Sequence, residues 1–124
     1  MSEINKVKNI KPFLGSKDFN ESRRFYKLLG FEEFVLDNKL SLFKISEDVQ
    51  FLLQDYYIKE WVENSMNMIE IENIYSWSIK LQSKFPGSGF EMAKLSNISE
   101  ENWGKVFYLH DPSGNLWHFC QLED

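Results

Sequence analysis

Histidine is scarce in this chain of 124 residues. Only His110 and His118 occur, with no H-x-E motif and no cysteine pair to support them, which is thin material for a zinc or transition-metal site. Cysteine is scarcer still: Cys120 stands alone, so no internal disulfide can form, which fits a reducing cytoplasm. Basic charge is in deficit, with 14 Lys and Arg against 19 Asp and Glu and a net charge of −5. A nucleic-acid-binding surface calls for a basic stripe, so this balance argues against such a partner. It mildly favours a cationic ligand, although solubility alone accounts for it. No apolar run is long enough to span a bilayer, and the opening MSEINKVKN lacks the apolar region of a signal peptide. The expectation is a cytoplasmic protein that engages neither membrane nor nucleic acid. A phosphate-cradling loop is missing too, because Gly87-Ser88-Gly89 follows a helical pattern and does not open one.

Aromatic residues are abundant, at 16% of the chain, with eleven Phe, five Tyr and four Trp. Some of them fill a core, and others are available to line a site for a flat or amphipathic ligand. The apolar share of 43% and charged share of 27% are ordinary for a globular protein, and the length suits one domain spanning 1–124.

Taken in order, Val7 to Gly15 reads as a strand, with Pro12 placing it at an edge or bulge. Asp18 and Glu21 fit a capping box. A helix follows whose buried face carries Phe25, Leu28 and Leu29, and Gly30 suits its exit. Strands are expected over 31–36, 40–45 and 49–54, separated by the turns Asp37-Asn38-Lys39 and Ser46-Glu47-Asp48. A connector over 54–64 has room for one helical turn. The order then restarts. Met66 to Ile71 reads as a strand, and Asn73 caps a helix with Ile74, Trp77, Leu81 and Phe85 on one face. Pro86-Gly87-Ser88-Gly89 stops that helix, and strands follow over 90–95, 106–110 and 116–121, with a polar loop over 96–102. The pattern strand, helix, strand, strand, strand thus occurs twice, in modules of about 7–62 and 63–124. The expected fold is α+β, with two βαβββ modules forming a half-open, eight-stranded mixed-sheet cup and helices outside.

The last hairpin carries the most information. Around the turn Asp111-Pro112-Ser113-Gly114-Asn115, alternation puts Phe107, Leu109, Trp117 and Phe119 on a greasy face. Val106, Tyr108, His110, Leu116, His118 and Cys120 fall on a mixed face suited to a cavity. The wording DPSGNLWHF, together with KDFNESRRFYKLLGFEE in the first half, resembles the vicinal-oxygen-chelate superfamily. That group includes glyoxalase I, extradiol dioxygenases, fosfomycin-resistance enzymes and bleomycin-resistance proteins, and the last branch is the most similar in look. The resemblance runs from about Lys11 to Gln121.

Metal-dependent members of the superfamily hold a divalent ion with His, Gln or Glu from the first and last strands of each module. Transferred to this sequence, the resemblance places those ligands at Lys11 or Pro12, at Phe51 or Leu52, at Met66 and at His118. Only His118 has a suitable donor, so the resemblance implies neither metal nor cofactor here, and no catalytic residue is assigned. Three smaller alternatives stay open: a carboxylate-only site, His110 and His118 as an acid–base pair, and Cys120 as a nucleophile.

The resemblance implies a non-catalytic, small-molecule-sequestering protein of the bleomycin-resistance type, linked to antibiotic resistance. It implies a homodimer with a small aromatic or cationic ligand in a crevice between subunits. Candidate lining residues are Phe13, Phe43, Tyr57, Trp61, Trp103, Tyr108, His110 and His118, with Asp55, Glu60 and Glu63 as acids for a cationic tail. The alternatives are a metal-dependent glyoxalase-like lyase or isomerase, a fosfomycin-resistance-like transferase, and a module for protein association.

Overall fold

A computed structural model describes residues 6–85 and 88–123. Two of the stop signals expected after the second helix, Pro86 and Gly87, lie outside the described residues, as do residues 1–5 of the opening segment.

The first module runs β1 (Phe13–Gly15), α1 (Phe19–Leu28), β2 (Glu32–Asp37), β3 (Leu40–Lys44) and β4 (Gln50–Gln54). The short α2 (Lys59–Val62) supplies the helical turn expected of the connector. The second module runs β5 (Met66–Glu70), α3 (Ile74–Lys84), β6 (Lys94–Leu95), β7 (Ser99–Glu101), β8 (Gly104–His110) and β9 (Leu116–Leu122). The strands form two mixed sheets and no closed barrel: one in the order β1-β4-β3-β2, the other β5-β9-β8-β6 with β7 also paired to β8. In each, the module's first strand lies parallel to its last, β1 to β4 and β5 to β9.

Both long helices begin where a side chain satisfies an otherwise orphaned amide. Asp18 Oδ1 accepts from the Glu21 amide at 3.0 Å, and Asn73 Oδ1 from the Ser76 amide at 3.1 Å. Helix α1 buries Phe19, Ser22, Phe25 and Tyr26, and Leu29 just beyond it is buried as well. Gly30 then adopts φ +96°, a left-handed value that suits a residue without Cβ. Helix α3 buries Ile74, Ser78 and Leu81, with Trp77 and Phe85 packed against the core.

Three elements depart from the sequence reading. The first strand is only three residues long, and Val7 and Ile10 upstream are exposed; Pro12 has no amide to offer the ladder, although its carbonyl still accepts from Leu52 N. The expected strand over 90–95 shrinks to two residues, because Phe90 turns onto the core and meets Phe25 edge-on at 5.4 Å. The loop expected over 96–102 contains β7, an edge strand whose side chains all face solvent and so show no apolar alternation. The strands therefore number nine among the described residues, in sheets of four and five, where eight were expected.

The helices cover one face of each sheet, α1 against β2 and β4, α3 against β8 and β9. The core lies under them: Phe25, Tyr26, Phe43, Phe51, Phe107, Leu109 and Phe119 are fully buried. Neither long helix packs on the opposite faces among the described residues, and those faces position the site.

Candidate functional site

The turn between β8 and β9 ties the two modules together. Asp111 is completely buried. Its Oδ1 accepts from the amides of Ser113, Gly114 and Asn115, each at 2.9 Å, which is what winds the turn. Its Oδ2 accepts from the Tyr26 hydroxyl at 2.6 Å and from Asn115 Nδ2 at 2.8 Å. The Trp117 indole N–H in turn donates to the Tyr26 oxygen at 2.9 Å. From the same turn, Asn115 Nδ2 reaches the Gly15 carbonyl at 2.9 Å, and Ser113 Oγ accepts from the Lys17 amide at 2.8 Å. Burial pushes the Asp111 carboxyl up, while the hydroxyl and amide donors pull it back. Burial and the neighbouring carboxylate push the Tyr26 hydroxyl well up, so that it keeps its proton. Every polar group in this cluster is committed to another, which makes it structural.

The uncovered faces are built by register. In the first sheet Phe13, Leu52, Leu42 and Phe34 are successive cross-strand partners, so their side chains form one apolar row. Phe13 is 59% and Phe34 42% exposed. In the second sheet one row runs Met68, His118, Tyr108, and the next runs Met66, Leu116, His110, Lys94. The Tyr108 and His118 rings meet edge to face at 4.9 Å.

Among the cavities that border these faces, three take in sequence-derived candidates. One, of about 340 Å³, lies where the connector and β6 approach the β8–β9 turn, and it is lined by Lys17, Tyr57, Glu63, Lys94 and His110. A second, of about 350 Å³, lies over Tyr108, Leu95 and Leu116 and shares His110 and Lys94 with the first. A third, of about 100 Å³, sits between Phe13 and Trp61. Tyr57 donates to Glu63 Oε2 at 2.8 Å, and Lys17 Nζ stands 5.8 Å from the Tyr57 ring centroid.

The sequence-derived candidates thus divide. Tyr108, His110 and His118 share the open face of the second sheet, as the alternation of the last hairpin implied. Tyr57 joins His110 in one cavity, and Phe13 joins Trp61 in another. Phe43 does not belong: it is fully buried, stacked on Phe51 at 5.5 Å, because β3 turns Ser41 and Phe43 toward the core and Leu42 outward. Trp103 also stands apart, in the turn before β8, and lines none of the three cavities. The seven residues of β8, Gly104 to His110, put roughly 20 Å of strand between it and the cavity. His110 and His118 are not partners either. His118 faces Tyr108 across the ladder and His110 faces Leu116, and no hydrogen bond joins the two among the described residues. Cys120 is fully buried, and burial together with nearby Glu70 pushes its thiol up, away from the thiolate a nucleophile needs. Sequence reasoning missed Lys17 and Lys94, whose partners are set by tertiary approach and leave no local pattern.

A divalent metal does not fit the side chains at the heart of the two sheets. The parallel strand pairs present Phe13 with Leu52 and Met68 with His118 on the open faces. That is two hydrocarbon groups, a thioether and one imidazole; only the imidazole suits a borderline cation, and one donor does not make a site. Among the described residues no three His, Cys, Asp or Glu side chains come together as a ligand set.

No protein-family model and no curated protein matches the sequence. Solved structures do match in shape. A bleomycin-binding protein from the bleomycin producer Streptomyces verticillus, in complex with copper(II)-bleomycin, superposes with a TM-score of 0.79 at 19% identity, over 95% of this chain and 98% of that one. A bleomycin resistance determinant encoded on the transposon Tn5 gives 0.76 at 20% identity, over 94% and 98%. An antibiotic-binding protein from Streptomyces sp. CB03234 gives 0.73 at 15% identity, over 99% and 100%. The order of elements, the two mixed sheets and these superpositions together give the chain the same fold as these bleomycin-binding and antibiotic-binding proteins.

Proposed function

We propose that the protein is a non-catalytic, small-molecule-sequestering protein that works as a homodimer in the cytoplasm and protects against an antibiotic or a toxic metabolite. One observation carries the reading. Both sheets leave part of a face without a helix among the described residues, and those parts bear large apolar and aromatic side chains where a catalytic relative would need metal ligands. Phe13 is 59% exposed on the first sheet; on the second, Met66 is 64% and Met68 55% exposed, with Met68 in the row of the Tyr108–His118 ring pair. Contiguous exposed apolar surface of this kind marks an interaction site. A second copy covering these faces would turn them into crevices, with Tyr108 and His118 in the walls. Solved structures of this shape include proteins described as binding bleomycin or an antibiotic, and the same general role suits this chain.

The test uses the whole chain. Sedimentation should give twice the monomer mass. Flat aromatic molecules should raise the melting temperature, since selective binding to the native state stabilises it. A stoichiometric divalent ion in protein purified without chelator, or a panel that leaves the melting temperature unmoved, would overturn the proposal.

A further inference from the structure

The cavity of about 340 Å³ carries a charge balance opposite to that of the protein. The chain as a whole is at −5, yet the fully charged side chains lining this space are Lys17 and Lys94 against Glu63 alone. Neither lysine forms an ion pair among the described residues. Glu63 is already engaged: its Oε2 accepts from the Tyr57 hydroxyl at 2.8 Å. Its side chain also lies tight over Gly114, where an added Cβ would meet Glu63 Cγ at 3.0 Å. An ammonium entering here would meet two unpaired ammonium groups and a carboxylate with a partner. An anion would meet two lysines that have no carboxylate partner among the described residues, Lys17 over the Tyr57 ring and Lys94 opposite His110.

The space does not end at the lysines. Lys94 and His110 are cross-strand partners and also border the second cavity of about 350 Å³, whose other walls are Leu95, Ser96, Tyr108 and Leu116. A charged compartment and an apolar one therefore share a boundary. We infer that this double cavity takes an amphipathic organic anion: a flat apolar body lying on Tyr108 and Leu116, with a carboxylate between Lys17 and Lys94. The inference rests on the small-molecule reading above and adds the sign of the guest's charge, which is opposite to that of the cationic ligand the resemblance implies. Two point charges on flexible stems suit the two oxygens of a carboxylate, and the aromatic wall supplies the stacking area.

The experiment titrates the full chain calorimetrically with three probes of one shape: 2-naphthoate, neutral 2-naphthamide and cationic 2-naphthylmethylamine. The carboxylate should bind about tenfold tighter than the amide, with the amine weakest. Raising the salt concentration should erode the carboxylate's advantage and leave the amide unaffected. The double variant Lys17→Gln/Lys94→Gln should keep the melting temperature of the free protein, since both side chains are exposed and the Lys17 contact to Ser113 is made by its backbone. In that variant the carboxylate and amide should bind within about twofold of each other, as expected when exposed charge pairs are removed. Equal binding of all three probes, or a carboxylate preference that survives in the double variant, would overturn the charge assignment and leave the small-molecule reading standing. Failure of all three to bind would overturn both.

Discussion

The hydroxyl of Tyr26 donates to Asp111 Oδ2 at 2.6 Å, and 85 residues of chain separate the two. Tyr26 belongs to the helix of the first module and Asp111 to the turn that closes the second, so this bond joins the modules through their common core. Removing the hydroxyl strands two partners at once: Asp111 loses a donor and the Trp117 indole N–H loses its acceptor. Tyr26→Phe keeps the ring contacts, so urea unfolding should show a loss of about 1–3 kcal/mol, the usual cost of leaving buried polar groups unpaired. A loss below roughly 0.5 kcal/mol would mean that the network contributes no net stability.

Glycine at position 15 is required by close approach. A Cβ there would lie 2.5 Å from the Tyr56 carbonyl oxygen and 2.8 Å from Val62 Cγ2, so the connector must move to admit it. Gly15→Ala should destabilise by about 1–3 kcal/mol, as overpacking does. It should also perturb the Tyr57 and Trp61 signals in an NMR spectrum more than those of Trp103.

Phe43, Tyr108 and Trp103, all sequence-derived candidates, can separate packing from binding. Phe43→Ala empties a fully buried position and should cost about 3–5 kcal/mol. Tyr108→Ala sits on an open face and should cost far less, yet it should abolish the melting-temperature rise produced by a flat aromatic ligand. Trp103→Ala should leave that rise intact. Loss of the rise in Trp103→Ala would place the ligand at the far end of β8.

Acid should weaken the fold partly through Glu33. Burial alone would raise its pKa, but hydrogen bonds from Arg23 at 2.6 Å and Ser41 at 2.7 Å, with the charges of Arg23 and Lys27, outweigh that and hold it below the usual glutamate range. A carboxylate depressed in the folded state contributes stability that is present above its unfolded value and is lost as pH falls through the folded one. Glu33→Gln should therefore be less stable than the parent near neutral pH, and the gap should narrow below the ordinary glutamate range. A gap that stays constant with pH would remove Glu33 from the acid response.

The elements that announce themselves locally were legible in the sequence. Asp18 and Asn73 cap helices where their side-chain chemistry says they should, and the alternation around Asp111 to Asn115 sorts Phe107 and Phe119 from Tyr108 and His118 correctly. Where two faces look alike, parity failed: Leu40, Leu42 and Phe43 are all apolar, and only the packed sheet shows that Phe43 turns inward. Strand β7 escaped because an exposed edge strand needs backbone partners and no apolar pattern. Lys17 and Lys94, 77 positions apart by number, meet through the fold alone.

The Asp111–Asn115 segment both bolts the two halves of the chain and, through Pro112, Ser113 and Gly114, walls the lysine-lined cavity. That cavity takes Lys17 and Tyr57 from the first half and Lys94 and His110 from the second, so neither half contains it alone. A guest that fills it acts as mortar between them: cut the chain in the connector, and the two pieces would reassemble more tightly with the guest present than without it.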